Sequence, residues 1–231
     1  VGRAENESRA GDAGEGVVKV LSFDQRTDAW RLARAGRLTS SRVADMCATI
    51  PSGESAGRRN LRTQLVLERL TGTPQEPGFI SAAMRAGLAK EPLARVAYEA
   101  QTGLVVHRVG FAAHDTLLAG CSPDGEIDDF EGLVELKCGL SATHLAWLKT
   151  GAIPLAHMLQ LTHQLWITGA GWIDYVSFDD KFPPRLQLGI TRVERREVDL
   201  RLYELNVRAF LGEVDREVAE VGALADERAI A

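Results

Sequence analysis

The chain is short of cysteine and of long apolar runs, and each shortage removes a class of protein. Cys47, Cys121 and Cys138 are the only cysteines among 231 residues and form no CxxC pair, which excludes a zinc finger or a disulfide scaffold and points to reduced thiols. No apolar stretch reaches membrane-spanning length and the N-terminus lacks a signal-peptide core, so the expected location is a cytoplasm. Internal repeats and low-complexity tracts are absent as well. What remains, 45% hydrophobic and 26% charged residues, is the composition of a globular α/β protein with one sizeable core.

Positive charge is also in deficit, with a formal net charge of -5. That total argues against a nucleic-acid binder, but its distribution matters more. Between residues 28 and 62, Arg31, Arg34, Arg37, Arg42, Arg58, Arg59 and Arg62 outnumber Asp28, Asp45 and Glu54 by four charges. From Glu194 to Arg228 ten acids face six arginines. The acidity is therefore expected to sit apart from the basic portion.

The most informative stretch is Cys121-Ser-Pro-Asp124-Gly125 followed by Glu135-Leu-Lys137-Cys138. A polar run bordered by Gly125 and Gly132 predicts a hairpin whose second strand is Leu133 to Cys138. Strand alternation puts Glu135 and Lys137 on one face and Val134, Leu136 and Cys138 on the other. Two carboxylates beside an ammonium suit a metal-dependent phosphodiesterase: oxygen ligands hold Mg²⁺, and a lysine orients water or offsets developing charge. Taken alone, Glu-x-Lys on a strand is most often a solvated pair, and Asp-Gly most often a turn.

Elsewhere the pattern predicts a helix from Asp28 to about Ala35 capped by Asp28, ending at Gly36. Thr39-Ser-Ser41 either caps a helix from Arg42 to Ala48 or forms an anion pocket with neighbouring arginines. A loop from Pro51 to Gly57 precedes a helix from Asn60 to Thr71. Ser81 to Gln101 reads as helical with a break near Gly87, placing Glu91-Pro92 in an early turn where an acid suits the helix dipole. Leu104 to Val106 is expected to begin the first strand, and Gly110 to Leu118 to form an edge or second strand. His144 to Thr150 is a short helix, and a longer one starts at Pro154 and puts Gln160 and Gln164 on one face. Trp172 to Phe178 is the expected last strand of the central sheet, Leu186 to Arg192 a further strand, and the region from Glu197 to about Gly222 an outer helix.

Four ordered motifs resemble the YqaJ-like, lambda-exonuclease-like viral recombinases of the PD-(D/E)xK nuclease superfamily: Trp30-x(3)-Arg34-x-Gly36-x(2)-Thr39-x-Ser41, Gly87-x(3)-Glu91-Pro92-x-Ala94-x(3)-Tyr98-Glu99, the Asp124 to Lys137 string, and the Gln160 helix. The resemblance spans about Asp28 to Val176. It implies a restriction-endonuclease-like core, a central mixed sheet flanked by helices, within one nuclease domain from residue 18 to 231 ending in a helical extension; residues 1–17 are read as a flexible segment. It further implies an Mg²⁺-dependent 5′-to-3′ exonuclease that acts on linear double-stranded DNA, releases 5′-mononucleotides and leaves 3′ single strands for phage-type recombination.

By the same resemblance, Glu91, Asp124, Glu135, Lys137 and Gln160 are the catalytic set, with Glu91, Asp124, Glu135 and the Leu136 carbonyl as ligands for two Mg²⁺ ions, Mn²⁺ being a substitute. Arg34 and Ser41 hold the terminal 5′-phosphate, with Thr39 and Trp30 beside them and Arg58, Arg59 and Arg62 as candidate backbone contacts. A homotrimer, a single-strand annealing partner and a phage or prophage setting in a bacterial host are family properties carried with it. Departures are His157 for the family's tyrosine, Thr162 for its second glutamine, and His114 where an extra acid is expected; Asp115, one place later, either approaches the metals or is a turn residue, the turn being preferred. A related endonuclease or single-strand nuclease would keep the metals without needing Arg34 and Ser41, and a DNA-end-binding module would not need the carboxylates.

Overall fold

The structure, a computed structural model, describes residues 19–75 and 81–230. The segment 1–17 and the end of the loop after Gly72 lie outside the described residues. Along the chain the elements are β1 (Lys19–Leu21), α1 (Asp28–Arg34), β2 (Leu38–Thr39), α2 (Val43–Cys47), β3 (Thr49–Ile50), β4 (Gly53–Glu54), α3 (Ala56–Thr71) and α4 (Ala82–Thr102). They continue with β5 (Phe111–Ala113), β6 (Ala119–Cys121), β7 (Gly125–Ile127), β8 (Gly132–Lys137), α5 (Ser141–Thr150), α6 (Leu155–Thr168), β9 (Trp172–Phe178), β10 (Leu188–Glu194) and α7 (Leu200–Ile230). No helix among the described residues is long and apolar enough to cross a membrane.

The chain divides into two compact units. Of the described residues, the first takes 19–75, 110–122 and 199–230. Its sheet runs β1-β5-β6-β2, with β2 parallel to β6 and the other pairs antiparallel. Thr27, not Asp28, caps α1, its hydroxyl accepting the Trp30 N–H; Thr27 is one residue earlier and presents the β-region backbone a cap requires. Where a loop was expected after Pro51, β3 and β4 form a small hairpin. That hairpin lets Ser55 cap α3, which therefore begins four residues before Asn60. Leu61 and Leu65, four apart, bury one face of α3, and Gly72 at φ +64° closes it in the left-handed conformation that a glycine adopts without strain.

The acidic tail is not apart from the basic segment. Arg58 forms a two-pronged pair with Glu213 at 2.8 and 2.9 Å, Arg62 reaches Glu217 at 2.9 Å, and both contact Glu54. Arg69 meets Asp215 at 2.5 Å. The surplus charges of α3 and α7 thus neutralise one another along a shared helix contact, an arrangement that net-charge counting by segment does not reveal.

Of the described residues, the second unit takes 81–109 and 123–198. It holds a mixed sheet, β10-β9-β8-β7, in which β8 and β9 are parallel and the outer pairs antiparallel. The connection between the parallel strands contains α5 and α6, as a parallel crossover needs. Because β10 takes the edge, β9 lies inside the sheet instead of ending it. Leu104 to Val106 forms no strand; only His107 bridges to Glu126. Strand β8 is covered on both faces. Val134, Leu136 and Cys138 pack with Ala94 and Tyr98 of α4, whereas Leu133 packs with Leu161 and Leu165 of α6. The expected alternation holds, but the Glu135 face is roofed by a helix, not washed by water.

Helix α4 is continuous through Gly87. Glycine is kept there by proximity: a Cβ on Gly87 would come within 3.0 Å of the Cys138 carbonyl oxygen. Pro92 lies well inside the helix, so Glu91 is a mid-helix residue and the helix dipole does not account for it.

Candidate active site

Of the five expected catalytic side chains, Glu135, Lys137 and Gln160 are joined by hydrogen bonds at β8 in the second unit, and Asp124 is bonded to the main chain of the same strand. Strand alternation brings Glu135 and Lys137 together, and Lys137 Nζ donates to Glu135 Oε1 at 2.7 Å. From α6, Gln160 completes a triangle: its Nε2 donates to Glu135 Oε1 at 2.6 Å and its Oε1 accepts from Lys137 Nζ at 3.0 Å. Across the hairpin, Asp124 Oδ2 accepts the Leu136 N–H at 2.7 Å. That bond places the aspartate carboxylate next to the residue between the glutamate and the lysine.

One further participant was not assigned from sequence. Gln164, one helical turn beyond Gln160, donates from Nε2 to Glu135 Oε2 at 2.6 Å. The i,i+4 spacing of the two glutamines was visible, and a pair of amides on one helix face ordinarily signals solvent. Here the face is turned inward, with Gln164 at 0% and Glu135 at 3% exposure. Each Glu135 oxygen therefore receives at least one amide donor.

The electrostatics follow from burying carboxylates together. Burial and the neighbouring Glu135 and Glu91 charges push the Asp124 carboxyl well above its ordinary range, against the opposing pull of Lys137 and the Leu136 N–H. Burial works against the charge on Lys137, but Glu135 and Asp124 outweigh it and raise its pKa, so it stands as an ammonium. A protonated lysine is suited to orienting water and offsetting charge, and unsuited to acting as a base. Glu91, half-buried on α4, adds to the negative potential felt by Asp124 and Cys138. Burial first, then Glu91 and Asp124, push the Cys138 thiol up to about 12, which leaves it an inert core residue. Next to Glu91, Lys90 bonds Asp179 at 2.9 Å and Asp180 at 2.6 Å, tying this turn of α4 to the end of β9.

Among the described residues no group of three or more His, Cys, Asp or Glu side chains is drawn together as a closed metal cage. The donor set nevertheless fits Mg²⁺. This ion binds through one or two carboxylates and keeps several waters, and a carboxyl pushed up by burial and a neighbouring carboxylate, as Asp124 is, gains from a cation beside it. Asp124, Glu135 and the Leu136 carbonyl supply hard oxygen donors of the right kind.

In the first unit, Arg34 is buried, with its guanidinium 4.0 Å from the centre of the Trp30 ring and Nη2 3.5 Å from Thr39 Oγ1. Trp30 is itself held by a 2.9 Å bond from its indole N–H to Ser122 Oγ. Arg34, Thr39 and Trp30 are thus brought together. Ser41 lies exposed in the short turn Ser40–Arg42. Neither that turn nor α2 has a side-chain cap, so helix capping does not account for these hydroxyls. Arg58 and Arg62, two of the expected DNA contacts, are bonded to the acids of α7 and β4, whereas Arg59, the third, is exposed.

Asp115 behaves as the turn residue it was read to be, with Oδ1 accepting the Thr116 N–H at 2.7 Å, and His114 Nδ1 accepts from Thr116 and Leu117 in the same turn. His157, at the family's tyrosine position, pairs through Nδ1 with Tyr175 Oη at 3.0 Å. Tyr175 is the register partner of Glu135, so the histidine stands at the border of the site, and burial followed by Lys137 lowers its pKa.

Comparison with known proteins gives a consistent picture. The profile of the YqaJ-like viral recombinase domain matches residues 29–171. Among solved structures, the alkaline exonuclease LHK-Exo from Laribacter hongkongensis is 38% identical with a TM-score of 0.79, covering 87% of this chain and 99% of that one. The same protein in complex with dAMP matches equally well. A phage-related exonuclease from Haemophilus somnus 129PT, 11% identical with a TM-score of 0.58 over 82% of this chain and 96% of that one, shares the fold. No protein of curated function matches the chain.

Proposed function

Because the chain belongs to the YqaJ-like viral recombinase family, we propose that it is an Mg²⁺-dependent exonuclease that degrades the 5′-ended strand of linear double-stranded DNA. It is a deoxyribonuclease of the lambda-exonuclease-like branch. The observation that carries this reading is the hydrogen-bonded triangle of Glu135, Lys137 and Gln160 with the Asp124 carboxylate anchored beside it on the Leu136 N–H.

In this reading Asp124, Glu135 and the Leu136 carbonyl hold one ion, and Glu91 contributes to a second. Bound Mg²⁺ supplies Lewis acidity and lowers the pKa of water. Lys137 orients the attacking water through its ammonium and compensates the charge that grows on the phosphoryl oxygens. Gln160 keeps Lys137 and Glu135 in register by bonding both. Arg34, backed by Trp30 and joined by Thr39 and Ser41, takes the terminal 5′-phosphate as a planar, permanently charged fork. Such a pocket converts general phosphodiester hydrolysis into an end-directed reaction. The products are 5′-mononucleotides, the chemical class of the dAMP found with LHK-Exo, and a 3′ single strand for recombination. A homotrimer and a single-strand annealing partner belong to the same reading.

The test is digestion of linear duplex bearing 5′-phosphate or 5′-hydroxyl ends, labelled separately at each end, with a closed-circular control. Rapid Mg²⁺-dependent release of the 5′ label as mononucleotide, with the circle intact, is the expected result. Cleavage of the circle, or release from the 3′ end alone, overturns the end rule. Full activity in excess chelator overturns the metal assignment.

A further inference from the structure

The main chain of Asp124 is held by a residue the motif reading did not use. Helix α4 places Arg95 one turn after Glu91 and one before Glu99. Its Nη2 donates to the main-chain carbonyl of Asp124 at 2.6 Å. Its Nη1 packs against the glycine that follows: a Cβ on Gly125 would lie 3.1 Å from Nη1, and 2.1 Å from Val106 Cγ1. Nη1 is buried and has no hydrogen-bond partner among the described residues. The charges facing the guanidinium are Arg108, which opposes it, and Asp124, Glu99 and Glu91, which favour it.

An arginine beside an aspartate ordinarily takes the carboxylate in a two-pronged pair. Arg95 instead bonds the backbone of Asp124 and leaves its Nη1 amino group without a partner among the described residues, a costly arrangement that leaves the carboxylate to other partners. Asp124 is consequently fixed at two points, its carbonyl by Arg95 and its Oδ2 by the Leu136 N–H. Its other carboxylate oxygen lies outside both bonds.

We propose that Arg95 is a positioning residue for the metal site: it locks the main chain at Asp124 so that the aspartate carboxylate is presented to a divalent cation without being consumed by an ion pair. The glycine at 125 belongs to the same contact, since a Cβ there would meet Val106 Cγ1 at 2.1 Å and crowd the guanidinium at 3.1 Å. This inference rests on the reading of Asp124 as a metal ligand.

The experiment is Mn²⁺ binding to the DNA-free full chain, followed by calorimetry and by electron paramagnetic resonance of the free ion, for the parent, Arg95→Met, Arg95→Lys and Asp124→Asn. Loss of a supporting contact to a ligand weakens metal affinity about 10- to 100-fold, and that rise in the Mn²⁺ dissociation constant is expected of Arg95→Met, with a smaller rise for Arg95→Lys. Duplex binding measured in chelator should match the parent, which a general loss of folding would not allow. A folded Arg95→Met that binds Mn²⁺ within about twofold of the parent overturns the proposal. If that variant does not fold, Arg95→Lys carries the same criterion. Asp124→Asn separates the two levels: unchanged Mn²⁺ binding in it sinks the ligand assignment itself, whereas lost binding there with parental binding in Arg95→Met sinks only the role of Arg95.

Discussion

Gln164 Nε2 lies 2.6 Å from Glu135 Oε2, and the glutamine is wholly buried. Its own Oε1 has no hydrogen-bond partner among the described residues, so the amide gives up one bond to make this one. Reversing the amide would set a carbonyl against a carboxylate. The orientation is thus dictated by charge, and Glu135 is held at both oxygens from a single helix face by residues four apart.

Gln164→Leu keeps the volume and removes the donor. Its kcat on linear duplex should fall about tenfold or more while KM for DNA changes little, because the contact acts on a ligand and not on substrate. Steady-state kinetics at saturating Mg²⁺ check this; a kcat within about twofold of the parent would assign Gln164 a packing role alone.

Arg34→Lys retains charge but loses the planar fork that stacks on Trp30. Discrimination between 5′-phosphate and 5′-hydroxyl ends should drop by about tenfold or more, with hydrolysis of the hydroxyl-ended substrate nearly unaffected. Equal discrimination in parent and variant would remove Arg34 from the phosphate pocket.

Acid should weaken the α3–α7 contact through Glu54. Burial raises this carboxyl's pKa, but hydrogen bonds from Arg62 and Arg58 outweigh it and leave the folded value lowered. A lowered folded pKa means that the stabilisation is fully present above the ordinary glutamate value of about 4.3 and disappears as pH falls through the folded value. The urea midpoint should therefore decline below about pH 4, and Glu54→Gln should flatten that decline while lowering the midpoint at pH 7. A Glu54→Gln profile parallel to the parent's would contradict the linkage.

Gly132 opens β8, and a Cβ there would fall 2.1 Å from Cζ2 of Trp172, its register partner on β9. Gly132→Ala should destabilise by about 1–3 kcal/mol through forced displacement of the indole, and lower the melting temperature accordingly. Calorimetry on the purified variant decides; an unchanged melting temperature would show that the ring moves aside without cost.

The chemistry-bearing segment was readable because its information is local. Period-two alternation joined Glu135 to Lys137, and two glycines marked the hairpin. Local reading failed where a competing local solution existed. Thr27 outcompeted Asp28 as a cap, and Leu104 to Val106 looked like a strand but gained only the His107–Glu126 bridge. Proline at 92 suggested a helix start, although packing of Ala94 and Tyr98 against β8 carries α4 through it.

By itself, then, the sequence determined the family, the mixed α/β class and the identity of the acid-lysine cluster, since motif order and strand period are properties of neighbouring residues. Tertiary structure alone decided that both glutamines of α6 turn toward Glu135, that Glu135 is sealed beneath α6, that Arg95 grips Asp124 across 29 residues, and that Arg58 meets Glu213 across 155. The physical reason is that helix rotation and sheet pairing fix these meetings by burying apolar faces, and no periodicity along the chain records where a distant face will land.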